Sequence, residues 1–424
     1  MLSTVDLEKI AAGETHYLFT VVGLHLYAHA FRNPEWLSGG NDSYGPELEI
    51  IHNAGTGPVM DVAIEGDHAY AIGQKKLHVL DIRDPKKPVK VGTLEGLGSV
   101  RQIEVRSRIA YITSRQDGLF IVDVSAPALP RLLNHYDTVE FATGVAISGD
   151  LLFVACRHYG VELIDVSDPT NPHHLSTVRT GEAQSVVAKN GYLYVGVWAS
   201  SEVVTVDYQD PWNPRVVSKV PLDGYGDGLD VQGELLYVVT GHHSKERPRA
   251  APGDPGFGKG HGMEVFELSD PAHPAFLSRV KFPPLYEIGN DMWGVTIAYG
   301  HAFVADTYNG LFVIDVDDPK ALKFVGHRKL PFVESRKQPG FVGGLAVTDE
   351  VIFLAGGYTD LHIVEPKHIA APPFIKVDKP VAPGPRPEKP MTDKRWRSYE
   401  PGTQVYGVDF LDDDRAIVAR GSGG

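Results

Sequence analysis

The residue types best suited to proton transfer or metal binding gather in one segment of the chain. Residues 241–262 contain His242, His243 and His261 among many glycines. A neutral imidazole binds divalent metals and also exchanges protons near neutral pH. The three histidines are therefore candidate ligands for a divalent metal cofactor, and His243 and His261 are candidate catalytic groups. Their spacing matches no zinc signature, and one loop can carry histidines for no catalytic reason.

Acidic and phenolic side chains supply partners for such a group. Asp227 and Tyr308 are predicted to lie at the same mouth of a central channel as the histidines. They are the other two catalytic candidates. Asp291 and Asp306 belong to the same stretch of the chain. Together these acids are expected to face a cluster of positive charge on the opposite side of the opening.

That positive charge comes from Arg101, Arg115 and Arg157. A guanidinium group presents a planar fork of donors that matches a carboxylate, sulfate or phosphate. The arginines are therefore predicted to bind the acidic group of a substrate. In the alternative interpretation, each arginine pairs with a neighbouring loop acid such as Glu140 or Glu182.

Aromatic and imidazole side chains complete the predicted binding site. They are expected either to stack on a sugar ring or aromatic substrate, or simply to cap the opening. The substrate-binding candidates among them are His158, Trp198, Trp293, Tyr358 and Tyr406.

These candidates lie in loops between short strands, and residues 143–180 show the pattern best. Four apolar, β-branched or alternating runs, which we name strands A to D, are separated by turn residues. The runs are at Ala146, 152–155, 161–166 and 174–178. After strand C comes an Asp-Pro-x-x-Pro corner, because proline presets the turn and cannot donate in a central ladder.

Copies of this unit recur about every 40 residues, which is typical of a β-propeller blade with four strands. Strand C repeats most clearly, at HVLDI (78–82), FIVDV (120–124), ELIDV (162–166), VTVDY (204–208) and FVIDV (312–316). On these residues the chain resembles the LVIVD-repeat family. The resemblance implies a propeller fold for most of the sequence and transfers no single activity, so function must be argued from sites.

The aligned copies predict an all-β chain, residues 1–424, that forms a single β-propeller of eight four-stranded blades. Strand A opens at Asp61, Gln102, Gly144, Ser185, Gly228, Gly294, Gly344 and Gly407. Residues 1–57 and 403–424 are expected to form a closing blade shared between the N- and C-termini, because pairing removes costly strand edges. The alternative is seven blades, with the terminal strands outside the ring.

Two segments interrupt the repeat. Residues 241–262 form an insertion between strands B and C of the fifth copy, and residues 366–402 form a proline-rich connection. The B-to-C and D-to-A loops of a propeller emerge on one face. We name this the entry face, and its irregular loops are where function is expected.

The composition of the chain limits the kinds of partner that the protein is expected to bind. The net charge of −14 argues against a nucleic-acid surface, and the single cysteine, Cys156, excludes an intrachain disulfide. The sequence has neither a signal-type segment nor a long apolar run, so no membrane partner and a cytoplasmic location are expected, or export if a signal was removed. The oligomeric state is not predicted.

These observations support three hypotheses. The first is a lyase or hydrolase acting on an anionic or polyhydroxylated small molecule or sugar at the mouth of the channel. The second is a non-catalytic propeller that binds a protein or glycan. The third is a metal-dependent enzyme with histidine ligands. Neither the substrate nor the cofactor can be identified from the residues.

Overall fold

The computed structural model describes residues 15–22, 25–32, 44–241, 260–282, 293–366, 405–412 and 415–420. Within these ranges the chain is all β and contains no α-helix. Consequently, no described element is a helix with the length and apolar character needed to span a membrane. The first three strands are β1 (Thr15–Val22), β2 (His25–Arg32) and β3 (Glu49–Asn53).

Six antiparallel blades then follow, each continuous in sequence. The first contains β4 (Asp61–Glu65), β5 (His68–Gly73), β6 (Lys76–Asp81) and β7 (Val89–Glu95). The second contains β8 (Ile103–Arg106), β9 (Ile109–Thr113), β10 (Leu119–Asp123) and β11 (Arg131–Tyr136). The third contains β12 (Val145–Ser148), β13 (Leu151–Ala155), β14 (Val161–Asp165) and β15 (His173–Val178).

The next three blades have the same order. The fourth contains β16 (Ala183–Lys189), β17 (Tyr192–Val197), β18 (Glu202–Asp207) and β19 (Arg215–Pro221). The fifth contains β20 (Gly226–Gln232), β21 (Leu235–Thr240), β22 (Gly262–Glu267) and β23 (Ala275–Lys281). The sixth contains β24 (Trp293–Ala298), β25 (His301–Asp306), β26 (Gly310–Asp315) and β27 (Lys323–Arg328).

A seventh blade closes the ring with strands from distant parts of the chain. A small hairpin, β28 (Phe332–Val333) and β29 (Gln338–Pro339), precedes it. Its inner strands are β30 (Leu345–Val347), β31 (Ile352–Ala355) and β32 (Leu361–Glu365). The outer strand is β3, which pairs antiparallel with β32 from Glu49 opposite Glu365 to Asn53 opposite His362.

The expected count of eight blades is therefore wrong, and the alternative of seven describes the ring. Residues 342–365 supply only three strands before the proline-rich connection begins, so the edge of β32 is left for another segment to cover. That segment is β3, from within residues 1–57. An early strand does take part in ring closure, but its partner is β32 and not the expected strands of residues 403–424, which form the separate sheet β33–β34.

The remaining parts of the expected closing blade are two hairpins. β33 (Val405–Asp412) pairs with β34 (Arg415–Arg420), as β1 pairs with β2. Each hairpin is a two-stranded sheet of its own among the described strands. The other residues before Tyr44 and the other residues of 403–424 lie outside the described part of the chain. Residues 242–259 of the insertion and 367–402 of the proline-rich connection lie outside it as well.

Packing between blades confirms a closed ring of seven. The described residues form seven apolar clusters, and every cluster joins two successive blades. One cluster joins the seventh blade to the first, for example through Phe353, Ile363, Val62 and Ala71. Each blade thus buries both faces against its neighbours, which is how a chain of this length can form one domain.

The repeated aspartates explain the sharp corners after strand C. In five blades the last aspartate of strand C accepts a hydrogen bond from the amide two residues later, at 2.8–3.0 Å. The aspartate of the Asp-Pro corner does the same in five blades, at 2.9–3.1 Å. These bonds hold each corner in one conformation, so the sequence signature is structural.

Candidate functional site

The first strands of the blades surround a central channel. β4, β8, β12, β16, β20, β24 and β30 contact one another around a cavity of about 410 Å³. A cavity of this size can accept a small molecule. A candidate side chain must therefore reach this channel to contact a ligand bound in it.

Hydrogen bonds join each inner strand to the next around the channel. Asp61 accepts from the Ile103 amide at 2.9 Å, and Asp230 accepts from the Ile297 amide at 2.7 Å. The other links are Gln102 with the Val145 amide, Thr143 with the Ala183 carbonyl, Ser185 with the Asp227 carbonyl, Thr296 with the Leu345 carbonyl, and the Gly344 amide with the Met60 carbonyl. Every blade junction has one such link, so the inner strands are fixed in register and the channel lining is preorganised.

The charged side chains that line the channel are mostly acidic. They are four carboxylates and one guanidinium, belonging to Asp61, Glu104, Asp227, Asp230 and Arg101. Burial raises the pKa of Asp61 to about 7, against the opposing effect of hydrogen bonds from two amides and of nearby Arg101. Burial also raises the pKa of Glu104 to about 8, and the charges of Asp61 and Asp230 raise it further. The pKa of Asp230 is raised for the same first reason, burial.

The three predicted arginines lie close enough for their charges to interact in pairs, Arg101 with Arg115 and Arg115 with Arg157. Burial lowers the pKa of Arg101, an effect that Asp227 opposes and Arg115 reinforces. Burial likewise lowers the pKa of Arg115, and the charge of Arg157 lowers it further. The expected grouping of arginines on adjacent blades is thus present, with Arg101 in the channel and Arg115 exposed on the entry face.

Arg115 and Arg157 have an unusual backbone conformation. Their φ angles are +28° and +39°, in the left-handed region that costs a side-chain-bearing residue about 1–2 kcal/mol. Each pairs across a bridge with the residue that leads into the next blade, Ala142 and Ala183 respectively. At the corresponding site of the seventh blade, Gly357 (φ +48°) donates its amide to the Val59 carbonyl at 2.7 Å.

Arg157 has a buried acidic partner. The guanidinium of Arg157 lies 2.6 Å from a carboxylate oxygen of the buried Glu182, and 5.9 Å from the ring centroid of Phe141. The alternative interpretation of arginines paired with loop acids therefore applies to Arg157. Its Nε is buried and makes no hydrogen bond to any described residue.

The three catalytic candidates that the structure describes are buried. His261 Nε2 lies 3.1 Å from Asp306 Oδ2, and both side chains are completely buried. Asn309 donates to the same Asp306 oxygen at 3.1 Å, and the ring of His261 meets Phe282 edge-on. Buried on all sides, His261 is positioned to support the fifth and sixth blades rather than to reach into the channel.

Tyr308 and Asp227 differ in their surroundings. Tyr308 is 3% exposed and packs edge-on against Phe341, with ring centroids 5.3 Å apart. Asp227, 1% exposed, lines the channel and interacts electrostatically with Arg101. Asp227 is thus the one described catalytic candidate that lies in the channel wall. His243, with the metal candidate His242, lies outside the described residues.

The described aromatic and imidazole binding candidates lie in B-to-C loops of the entry face. Trp198 is partly exposed, and its ring lies 4.4 Å from that of the buried Tyr225. Tyr358 packs against Phe341 and carries the guanidinium of Arg336 over its ring at 3.7 Å. His158 is an exposed loop residue next to Arg157. The side chains of Trp293 and Tyr406 lie outside the described part, although β24 and β33 contain their backbones.

The described residues also bear on the expected metal. They contain no group of three or more His, Cys, Asp or Glu side chains arranged to hold a metal ion. His261, the one described metal candidate, bonds to Asp306 instead of joining such a group. A histidine-ligated metal therefore depends on His242 and His243, and it stays a prediction.

Sequence reasoning missed the acidic character of the channel. Glu104 and Asp230 occupy the same position of strand A, two residues after its opening residue, where other blades have Ala63, Ala146 or Val187. A carboxylate in an otherwise apolar, inner-strand position is a signal that the aligned repeats contain. Its meaning emerges only when the strands surround a common space.

Comparisons with known proteins agree with the fold. The family model described as LVIVD repeat matches residues 56–95, 97–138, 141–180, 180–220 and 289–328. These are the first four blades and the sixth, so the fifth blade with its insertion and the composite seventh blade fall outside the matches. No curated protein matches the chain.

Two solved structures are similar at low sequence identity. A functionally unknown protein from Desulfotomaculum acetoxidans DSM 771 aligns over 66% of this chain and 88% of its own, with 13% identity and a TM-score of 0.50. The computationally designed Ika8 protein aligns over 76% of this chain and 99% of its own, with 10% identity and a TM-score of 0.47. At such identity the first likeness shows the fold alone.

Proposed function

Taking the chain as an LVIVD-repeat β-propeller, we propose that it binds the anionic group of a small molecule or glycan at the channel mouth. The mouth is the end of the channel on the entry face, where Arg101, Arg115 and Arg157 lie on the second and third blades. A carboxylate, sulfate or phosphate is the group that these guanidinium donors suit best.

One observation carries the proposal: Arg115 and Arg157 place long cationic side chains at the same left-handed turn of two adjacent blades. The sixth blade has Thr307 (φ +36°) at this turn and the seventh has Gly357 (φ +48°). Glycine adopts this conformation without strain, so the turn itself does not require a long cationic side chain. The left-handed conformation therefore belongs to the repeated turn, and the feature that calls for a function is the pair of long cationic side chains placed there.

The electrostatics of the cluster support the same conclusion. The charge of Arg157 disfavours the charged form of Arg115, and that of Arg115 disfavours the charged form of Arg101. Positive charges held together repel one another, and an anion between them would relieve that repulsion. The ion pair with Glu182 neutralises Arg157 in part, and the side chain of Arg157 remains about one-third exposed (34%).

Aromatic residues extend the proposed site toward ring-shaped ligands. Trp198 presents a partly exposed ring supported from below by Tyr225 at 4.4 Å. A flat, supported ring on the rim can stack on a sugar or aromatic ring. An acidic sugar would use the arginines and this ring together.

Binding is proposed ahead of turnover. A lyase or hydrolase needs a proton-transfer group that reaches the ligand, and His261 is completely buried against Asp306 and Phe282. Asp227 is the described candidate that lines the channel, and catalysis would depend on it or on His243. Detectable turnover that disappears in Asp227→Asn, with anion binding retained, would support the enzymatic version.

The test is anion binding to wild-type protein and to Arg115→Gly, measured by isothermal titration calorimetry with inorganic phosphate, sulfate and glucuronate. We expect at least one of them to bind wild-type protein, and Arg115→Gly to lose about 10–100-fold in affinity, the range of a charge-assisted hydrogen bond.

The matched control is Lys75→Gly. Lys75 is an exposed cation in the B-to-C turn of the first blade, also with a left-handed backbone (φ +64°). The Lys75→Gly variant loses one positive charge and one left-handed side-chain-bearing residue, as Arg115→Gly does. Lys75, however, lies outside the arginine cluster. Equal losses in the two variants, or no binding of any of the three anions to wild-type protein, would contradict the proposal.

A further inference from the structure

Below the arginines, the channel has a second charged region that the anion site does not use. Glu104 of β8 and Asp230 of β20 extend from the second and fifth blades, and Asp61 of β4 lies beside them. The charges of Asp61 and Asp230 both act on Glu104, so the three carboxylates share one electrostatic environment. This group is named the channel acids.

Glu104 differs from the other two channel acids. Asp61 and Asp230 each accept two backbone amides, so they have clear structural work in joining the blades. The Glu104 carboxylate makes no hydrogen bond or ion pair with any described residue, although the channel wall desolvates it strongly enough to raise its pKa. The surface it retains faces the channel. A buried carboxylate without a partner is costly, and such a group in a native structure needs an explanation.

No cation of the described part of the chain opposes Glu104. The charged groups acting on it are Asp61 from β4 and Asp230 from β20, and both are acidic. On its own side of the channel, Arg101 interacts with Asp61, Asp227 and Arg115. The residues of β12, β16, β24 and β30 that line the channel are uncharged. Among the described residues nothing supplies the counter-charge, which leaves a proton or a bound cation to supply it.

We propose that the channel acids bind an organic ammonium group, which enters the channel and is held between Glu104 and Asp230. An ammonium group offers three donors to separated carboxylate oxygens. The described residues contain no set of three side chains arranged for a metal ion, and the cavity of about 410 Å³ accommodates a small amine. This proposal does not depend on the anion site, because it uses different residues.

The pKa of Glu104 at about 8 adds a diagnostic consequence. Near pH 7 the carboxyl group holds a proton, which an arriving ammonium group must displace. Binding should therefore release protons and strengthen at least tenfold from pH 6 to pH 8.5, where a simple alkylamine is still fully charged. Asp61, with a pKa of about 7, contributes in the same direction.

The experiment is calorimetric titration of the full chain with 1,4-diaminobutane, using butane-1,4-diol as the uncharged probe of the same length. We expect the diamine to bind and the diol not to bind. The binding enthalpy should change with the ionisation enthalpy of the buffer, as proton release requires. Glu104→Gln should weaken diamine binding at least tenfold. The control is Glu95→Gln, which removes an exposed acid of the outer strand β7. Glu95 pairs with Lys76 of β6, and its loss should leave diamine binding unchanged.

Three results would overturn the proposal. The diamine could fail to bind wild-type protein, bind Glu104→Gln as tightly as wild type, or be displaced by stoichiometric Ca²⁺, which would indicate a metal site. The pH profile and proton release of wild-type protein decide the question even if Glu104→Gln does not fold. Loss of anion binding in Arg115→Gly with diamine binding intact would separate the two sites.

Discussion

Asp360, in the loop before β32, accepts a hydrogen bond of 2.8 Å from the backbone amide of Thr56, which lies 304 positions earlier in the chain. The Thr56 hydroxyl donates to the same oxygen at 2.6 Å, and the Gly55 amide donates to the other oxygen at 2.9 Å. These bonds fasten the segment after β3 to the seventh blade. The propeller is thus closed by a side-chain clamp in addition to strand pairing.

Removing this clamp is the first prediction. Asp360→Ala should lower the free energy of unfolding by about 2–4 kcal/mol, because several charge-assisted bonds to a partly buried carboxylate are lost together. Urea unfolding of the variant measures this change. Asp67→Ala removes an exposed acid of the first blade whose side chain makes no hydrogen bond or ion pair with a described residue, and it should have almost no effect.

The clamp also has a pH dependence. Burial alone would raise the pKa of Asp360, but hydrogen bonds from Thr56, Gly55 and Leu361 outweigh it and lower the pKa below its ordinary value of 3.8. Its contribution is therefore complete above that value and is lost as the pH falls through the folded-state pKa. Wild-type and Asp360→Ala proteins should converge in stability at acid pH, and a constant difference down to pH 2 would contradict this role.

The second prediction concerns Glu104 without any ligand. Its pKa rises from 4.5 to about 8 on folding, so the folded state retains a proton that the unfolded state releases. The stability this gives is complete below about pH 4.5 and is lost as the pH rises to about 8, by a few kcal/mol. Glu104→Gln should remove this loss, so its melting temperature should exceed that of wild type at pH 8.5. A lower melting temperature than wild type at that pH would show that the carboxylate is stabilising.

The third prediction separates the two arginines of the entry face. Arg115→Gly should change the free energy of unfolding by less than about 1 kcal/mol, because relief of a left-handed backbone offsets the added flexibility of glycine. Arg157→Gly should destabilise by about 3 kcal/mol or more, because it leaves Glu182 buried without its counter-charge. Chemical denaturation of both variants measures the difference, and equal costs would contradict it.

The fourth prediction uses two glycines that open strand A in different blades. A Cβ at Gly144 would lie 2.8 Å from Ser185 Cα and 2.9 Å from the Gln184 carbonyl oxygen, both rigid backbone atoms. At Gly294 the nearest atom would be 3.8 Å away, an ordinary contact. Gly144→Ala should therefore cost about 1–3 kcal/mol, whereas Gly294→Ala should be neutral or slightly stabilising. Thermal unfolding of the pair provides the comparison.

Much of the fold was predictable because blade formation is local. The HVLDI and FIVDV patterns predict a buried strand ending in aspartate, and the structure contains them as β6 and β10 followed by aspartate-capped corners. Strand periodicity and turn chemistry act over a few neighbouring residues, so repetition makes them visible in the sequence. The strand predicted to open at Gly407 is present too, as β33 of the hairpin β33–β34.

The blade count and the site depended on the tertiary structure. Counting strand A openings up to Gly407 gave eight, because sequence shows that a strand exists but not which edge it covers. In the ring, β3 completes the blade of β32, and the neighbours of β3 are set by long-range pairing. Likewise, His261 matched the chemistry of a catalyst but lies enclosed against Asp306, since burial depends on the packing of whole blades.

By itself, the sequence determined the repeated four-stranded blade and its turns, because hydrophobic alternation and proline corners are properties of adjacent residues. Only the tertiary structure decided that seven blades close the ring and that Glu104 and Asp230 share one channel with Asp61. Those outcomes depend on the curvature and register of the closed ring. They bring together residues separated by more than a hundred positions, and no local pattern encodes that distance.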